Sequence, residues 1–195
     1  MLDKNINMID FQTVFVSFVI LGVSLLRLIP HVHNFSPILA LAIFGAFHFR
    51  NNVLTYVVPL LSLWFSDLII NNYIYNFSKN IVWFYEGFYW QYVTYLIIIF
   101  TCLKLNYFKS KFNKILFLII SSSLLFFLLS NFGYWLTSDL YPHNALGLVE
   151  CYIAAIPFYK GTLYGTLFYT PLFFGLYFVL QKRISFLKIN YFIYK

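Results

Sequence analysis

The chain has 195 residues, of which 62% are hydrophobic and 10% are charged, and its mean hydropathy is +0.78. A soluble domain has about a quarter of its residues charged, so this composition excludes an ordinary soluble fold and favours lipid as the solvent. The formal net charge of +7 does not indicate nucleic-acid binding, because the basic residues stand at the ends of apolar runs, as they do in membrane proteins.

Six apolar runs along the chain are candidates for membrane-spanning helices. Their approximate ranges are 11–29, 38–49, 53–70, 88–103, 115–136 and 163–180. We therefore predict an all-α fold, a polytopic membrane helical bundle of about six transmembrane helices that forms one integral membrane domain over residues 1–195. The second run has roughly a dozen residues, so it is shielded by neighbours, accommodated by thinned lipid, or re-entrant.

The segment between the fifth and sixth runs predicts a further, shorter helix. Asn144 is a suitable N-cap residue, and Pro157 is expected to end the helix that follows. A helix over about residues 144–156 is too short to cross a bilayer. We predict that it lies at the membrane interface or enters the membrane as a re-entrant segment.

The distribution of Lys and Arg predicts the orientation of the bundle. With six crossings, one side carries Arg27, Lys79 and Lys160, and the other side carries the remaining ten of the 13 basic residues. Those ten are Lys4, Arg50, Lys104, Lys109, Lys111, Lys114, Lys182, Arg183, Lys188 and Lys195. Because cytoplasmic loops of membrane proteins are enriched in Lys and Arg, both termini are predicted to be cytoplasmic.

This orientation places most of the unusual polar residues at the outer end of the bundle. Arg27 lies near the end of the first run, and Asp67 lies at matching depth in the third run, next to Ser66. An ionised side chain in a spanning helix is costly unless it has a partner, so we predict an ion pair between Arg27 and Asp67. The pair is either a structural link between two helices or part of the lining of a substrate pocket.

A second group of polar residues follows in the fifth run. Asn131 and Trp135 are spaced to share one helical face, where an amide and an indole could hold a polar, planar ligand. Alternatively, Asn131 hydrogen-bonds a neighbouring helix and Trp135 anchors the membrane interface. The candidate substrate-binding residues are Arg27, His31, Asn34, Ser66, Asp67, Asn131, Trp135 and Tyr141.

No motif specific for a metal, a cofactor or catalysis stands in the sequence. His31 and His33 could place both imidazoles on one metal, with His143 as a third ligand, but two histidines in a loop occur in too many sequences to be specific. The chain also lacks HExxH, GxSxG, a Walker loop and CxxC. We therefore predict no metal, no cofactor and no enzymatic activity.

Several segments resemble an uncharacterised family of small bacterial membrane proteins with six helices. They are RLIPHVHNFSPILALAIFGAFHF (27–49), the pair Ser66-Asp67, NFGYW (131–135) and YPHNALGLVECYIAAIPFYKGTLYG (141–165). The residues that match the family motifs by position are Arg27, His31, Asn34, Pro37, Ser66, Asp67, Asn131, Trp135, Tyr141, Pro142 and Pro157. One departure is Thr166, where an acid is expected. The resemblance implies a location in the bacterial cytoplasmic (inner) membrane.

That family is similar in size and topology to the substrate-binding S components of energy-coupling-factor transporters. The similarity is architectural, and it implies capture of a small extracellular nutrient, such as a vitamin or a metal ion, at the outer face. An energising module would dock on the cytoplasmic side through helices with small residues. Ala42 and Ala46 have the four-residue spacing that permits close helix approach, although they lie on the short second helix rather than the first.

Our leading hypothesis is therefore an S-component-like capture or uptake protein, with the lipid bilayer, a small-molecule ligand and an energising module as partners, and no nucleic acid. One alternative is a non-catalytic scaffold of a membrane or cell-envelope complex. A second is an intramembrane enzyme on a lipid or isoprenoid substrate, with His31, His33 and Asp67 as acid and base. Capture requires a pocket lined by Asp67, Asn131 and Trp135, whereas a scaffold would bury these groups against each other and leave no cavity.

Overall fold

The computed structural model describes residues 18, 21–22, 25–29, 33–48, 52–75, 80–105 and 111–183. Over these residues the fold is entirely helical, as predicted. A 3-10 turn at Leu25–Leu28 precedes five α-helices, and α2 continues into a π-helical turn at Ile70–Ile74. The α-helices are α1 (Ile38–His48), α2 (Asn52–Ile69), α3 (Phe88–Leu105), α4 (Lys111–Thr137) and α5 (Ala145–Arg183).

Four of these helices are long and apolar enough to cross a bilayer. The apolar stretches are Val53–Ile74, Phe88–Leu105, Phe112–Thr137 and Ala145–Leu180. Most residues in them are not buried inside the protein, and large apolar side chains cover their outer faces. An exposed apolar surface of this extent is what a helix in contact with lipid presents. The four helices therefore suggest a membrane location.

The predicted boundary between a short interfacial helix and a sixth span is wrong. In the structure, α5 runs without interruption from Ala145 to Arg183, and Pro157 and Pro171 both lie inside it. A proline removes one backbone hydrogen bond, and neighbouring groups tolerate this loss in spanning helices. The first turns of α5 also pack on α4, where the Tyr152 hydroxyl donates to the Leu128 carbonyl oxygen at 2.8 Å. The predicted first span, 11–29, lies mostly outside the described residues.

The short helix α1 occupies the centre of the bundle. Each of the four long helices packs against it. Every residue from Ile38 to Ala46 is buried, and Ala40 and Ala42 have no exposed surface at all. A helix that is apolar on all sides needs neighbours on all sides. Of the three arrangements considered for this short run, shielding by neighbouring helices is the one that the structure shows.

This burial corrects the prediction about Ala42 and Ala46. Both side chains lie inside the protein's own bundle, at 0% and 3% exposure. The close helix approach that their spacing permits is used within the chain. They do not form a surface on which an energising module could dock.

The loop before α1 lies directly on α5. A Cβ atom added at Gly161 would come within 2.0 Å of the His33 carbonyl oxygen, and one added at Gly165 within 3.0 Å of the Ser36 amide nitrogen. Asn34 adopts a left-handed conformation (φ 61°) in this loop. Two glycines at four-residue spacing therefore give the loop backbone room to approach the helix axis.

We predict that Gly161→Ala destabilises the protein, because the new methyl group would overlap the loop backbone and force a shift. Overpacking of this kind costs about 1–3 kcal/mol. The matched control is Gly175→Ala on the same helix, since a Cβ atom there meets no heavy atom within 4 Å. Thermal unfolding of the purified protein in detergent would measure both. Equal melting temperatures for the two variants would contradict the contact.

Candidate binding site

The centre of the candidate site is the predicted ion pair, which is confirmed. The Arg27 Nη1 atom donates to Asp67 Oδ1 and to Ser66 Oγ, each at 2.7 Å. Arg27 belongs to the 3-10 turn, and the other two residues belong to α2, so the contact joins segments about 40 positions apart in sequence. The pair ties the turn to the second half of α2.

Local geometry holds the acceptors of the pair in place. The Ser66 hydroxyl donates to the Leu63 carbonyl oxygen at 2.9 Å, so the oxygen lone pairs of Ser66 are available to Arg27. Asp67 is only 8% exposed. An ionised carboxylate buried in a spanning helix requires an opposite charge, and the guanidinium supplies it.

Hydrogen bonding within the pair is incomplete. Asp67 Oδ2 is buried, and it has no hydrogen-bond partner among the residues that the structure describes. Both hydrogen bonds that Arg27 donates to α2 use Nη1, so Ser66 and Asp67 do not engage the Nε–Nη2 edge of the guanidinium. A buried polar atom without a partner costs about 1–3 kcal/mol. Such atoms in a native protein require a functional or structural reason.

Three tyrosines lie within electrostatic range of the pair, and the sequence analysis missed them. Tyr85, Tyr92 and Tyr95 lie close enough to Arg27 and Asp67 for electrostatic interaction. Tyr92 and Tyr95 share a face of α3 at a spacing of three residues. That spacing is a detectable signal, but in a chain with 17 tyrosines it does not stand out.

Tyr85 differs from the other two because it lies before α3, outside the spanning segments. Burial, with a smaller contribution from the charge of Asp67, raises the pKa of its phenol above the ordinary value. The phenol is therefore neutral at physiological pH, and its O–H donates to the Gln91 side-chain oxygen. Tyr85 thus presents a protonated phenol beside the ion pair.

The connection from α2 to α3 is held against α2 by Asn72. Its side-chain nitrogen donates to the Leu68 and Val82 carbonyl oxygens, and its side-chain oxygen accepts the Val82 N–H at 2.7 Å. Asn72 belongs to the π-helical turn, a geometry that is frequent at functional sites. Asn71, in the same turn, is buried one helical turn beyond Asp67. Neither asparagine is given a role by the sequence analysis.

A groove shares Tyr92 with the tyrosine cluster, but neither Arg27 nor Asp67 lines it. It has a volume of ≈ 410 Å³ and lies between α2, α3 and the segment that precedes α3. Its lining residues are apolar or aromatic: Val57, Leu60, Leu61, Trp64, Phe84 and Tyr92. Tyr92 therefore belongs both to the wall of this groove and to the surroundings of the ion pair.

Asn131 and Trp135 do not join this cluster. Their helix, α4, packs on α1, α3 and α5, whereas α2 packs on α1 and α3. The Asn131 side-chain nitrogen donates to the Phe127 carbonyl oxygen at 2.7 Å, and the Trp135 indole donates to the Pro142 carbonyl oxygen at 2.9 Å. Each residue thus has a hydrogen bond within its own chain, and the structure does not bring the two together with Asp67.

The other candidates, which lie in loops, have structural contacts or fall outside the described residues. Tyr141 packs edge-on against Tyr134. Asn144 caps α5, as predicted, because its side-chain oxygen accepts the Gly147 N–H at 2.9 Å. Asn34 is exposed in the loop that lies on α5, and His31 lies outside the described residues.

The structure brings no metal ligands together in the part of the chain that it describes. No group of three His, Cys, Asp or Glu side chains could hold an ion there. His33 packs against Phe158, and His143 packs against Trp135 beside the start of α5. Since Phe158 lies about 20 Å along the helix axis from Ala145, the two imidazoles are too far apart to share a metal.

Comparison with known proteins gives one match. The model of a family of unknown function, DUF6580, matches residues 7–187. No curated protein and no solved structure matches the chain. The match covers nearly the whole chain, and it adds no known activity to the geometry of the site.

We predict that Asp67→Asn and Arg27→Gln each lower the free energy of unfolding, because either change leaves the other partner partly buried and unpaired. Breaking a buried ion pair costs about 3–5 kcal/mol. Asp139→Asn is the control, since that carboxylate is exposed in the loop after α4. Thermal unfolding in detergent measures the effect.

The double variant Arg27→Asp with Asp67→Arg should recover part of the lost stability if the pair is structural. Partial recovery reports the interaction itself, because each single change also disturbs the local packing. If neither single substitution changes the melting temperature, both side chains face open water and the assignment of the site is wrong.

Proposed function

We propose that this protein, which belongs to the DUF6580 family of unknown function, is a multi-pass membrane protein that captures a small solute from the outer side of the membrane. In this proposal the solute binds at Arg27 and Asp67, with Tyr85, Tyr92 and Tyr95 around it. The observation that carries the proposal is the incomplete hydrogen bonding of a buried ion pair. A pair that served stability alone would be expected to satisfy both of its carboxylate oxygens.

The position of the pair supports access from the outer side. Asp67 lies near the end of α2 that leads to α3, whereas Lys104 and Lys111 lie at the opposite end of α3 and the start of α4. A Cβ atom at Gly87 would contact the Thr137 side chain, so the start of α3 and the end of α4 share one end of the bundle. The proposed orientation has six crossings, both termini in the cytoplasm and the lysine-rich connection inside.

The proposal keeps an uptake role but changes how a partner could bind. Because Ala42 and Ala46 are buried, a cytoplasmic energising module would dock on another surface of the bundle. Capture without a docked module agrees equally well with the described contacts. A bacterial inner membrane remains part of the proposal.

One observation favours the scaffold as a second candidate. Asn131 and Trp135, which the capture hypothesis placed in a pocket, donate their hydrogen bonds to backbone carbonyl oxygens of the same chain. A scaffold needs only such internal bonds. The two candidate functions make different predictions for Asp67 Oδ2. A scaffold gives no reason for this buried oxygen to lack a hydrogen-bond partner.

The capture function is tested by comparing solute concentrations in the growth media of cells that express different variants. Cells that express the protein should deplete at least one small solute faster than cells that express Asp67→Asn at the same membrane level. The matched control is Asp139→Asn, an exposed acid that should behave as the unchanged protein. Untargeted mass spectrometry of the medium over time provides the measurement. Identical depletion profiles for all three proteins would favour the scaffold.

Thiol labelling tests the orientation. Ser110→Cys should be shielded from a membrane-impermeant thiol reagent in intact cells, whereas His143→Cys should be labelled. The native thiols, Cys102 and Cys151, are both buried and contribute little background. The reverse labelling pattern would place the ion pair on the cytoplasmic side and remove the basis for capture from outside.

A further inference from the structure

The charge balance of the site limits the net charge of its solute. Arg27 and Asp67 contribute one positive and one negative charge, and both side chains are largely buried, at 17% and 11% exposure. A net-charged solute would add an uncompensated charge to an environment of low dielectric constant. An anion beside Arg27 would also repel Asp67, and a cation beside Asp67 would repel Arg27. The site therefore favours a solute whose net charge is zero.

The open hydrogen-bonding positions define what this neutral solute must present. The Nε–Nη2 edge of Arg27 offers two parallel N–H donors, a geometry that matches a carboxylate or a carbonyl oxygen. Asp67 Oδ2 accepts hydrogen bonds and donates none while the carboxylate is ionised. Since Arg27 and Asp67 are joined at 2.7 Å, the solute must carry its acceptor and its donor close together.

The surroundings favour a compact solute with a flat or apolar body. Tyr92 and Tyr95 lie on α3, and Tyr85 lies in the segment before it, so three aromatic rings stand near the pair. Asp67 Oδ2 has no solvent-accessible surface in the structure, so a covering side chain must move when the solute enters. Tyr85 is the one tyrosine of the three that no spanning helix carries.

We infer that the captured solute is net-neutral and presents an acceptor to Arg27 together with a donor to Asp67. This inference rests on the proposed capture function. Two chemical classes share that arrangement: amino-acid zwitterions, through a carboxylate and an ammonium group, and lactam rings such as the pyrimidine nucleobases, through a carbonyl oxygen and a ring N–H. Both classes fill the open positions of Arg27 and Asp67 without adding net charge.

Matched probes on the full-length protein in lipid nanodiscs distinguish the classes. The zwitterion arm uses the amino acids with uncharged side chains, with L-phenylalaninamide as a cation and N-acetyl-L-phenylalanine as an anion. The lactam arm uses uracil, thymine and cytosine, with 1,3-dimethyluracil as the analogue that lacks N–H donors. Equilibrium dialysis followed by mass spectrometry measures retention of each probe. Since this series uses the unchanged protein, it does not depend on any variant that folds poorly.

We expect retention of probes from one arm, with affinity about 10–100-fold weaker for the derivatives that lose either the donor or the acceptor. Asp67→Asn replaces an acceptor oxygen by an N–H donor and should weaken binding by a similar factor, and Arg27→Gln should do the same. Asp139→Asn and Lys160→Gln are the controls, because both residues are exposed away from the pair. Their binding should equal that of the unchanged protein.

The remaining outcomes separate this inference from the capture function. Equal or tighter retention of the cation, the anion or 1,3-dimethyluracil would overturn the inference and leave capture in place. If no probe of either arm is retained but solute is depleted from the growth medium, the inference is likewise overturned and the capture function is kept. The absence of both retention and depletion would overturn the inference and the capture function together.

Discussion

The fold depends on the burial of α1, an apolar helix of 11 residues that is enclosed by four longer ones. Lipid tails are as apolar as leucine side chains, so the hydrophobic effect does not drive α1 out of contact with lipid. The surrounding helices instead stabilise its buried position by close packing around Ala40 and Ala42. The central position of α1 also determines where the preceding polar segment must run.

That preceding segment connects two sides of the bundle. Arg27 binds α2 through Ser66 and Asp67, and the loop from His33 to Ser36 lies on α5. Because α2 and α5 both pack on α1, Arg27 and the loop contact two helices that flank α1. Its two anchors are chemically different: one is a charge pair, and the other is backbone contact with two glycines. The ion pair makes this link through Arg27 Nη1 and Asp67 Oδ1, and Asp67 Oδ2 takes no part in it.

Physical constraints explain which parts of the site the sequence could predict. An ionised side chain in an apolar run needs a partner, and Arg27 was the only base placed at the depth of Asp67, so the pair could be inferred from residue types alone. Asn144 was predictable because a cap depends on the local sequence. Tyr92 and Tyr95 were not, because aromatic residues make up 24% of the chain and their presence near the pair is a result of tertiary packing.

The errors have equally physical causes. Pro157 predicts a helix end in water, where the freed backbone groups would favour another conformation, but α5 continues through it. Ala42 and Ala46 have the spacing of an association surface, but that spacing does not tell which helix approaches. Asn131 and Trp135 share a helical face, and periodicity does not reveal that the loop after α4 folds back to accept the indole N–H of Trp135.

The length of α5 has a consequence for how the protein sits in a bilayer. Its 39 residues extend about 58 Å, whereas the hydrocarbon core of a bilayer is about 30 Å thick. A helix of that length must tilt, bend or project beyond the core, and the balance among these changes with lipid chain length. Gly161 and Gly165 contact the loop that leads into α1, so a change in the tilt of α5 would alter this contact. Acyl-chain length is accordingly an experimental variable for this protein, to be controlled as carefully as pH or salt.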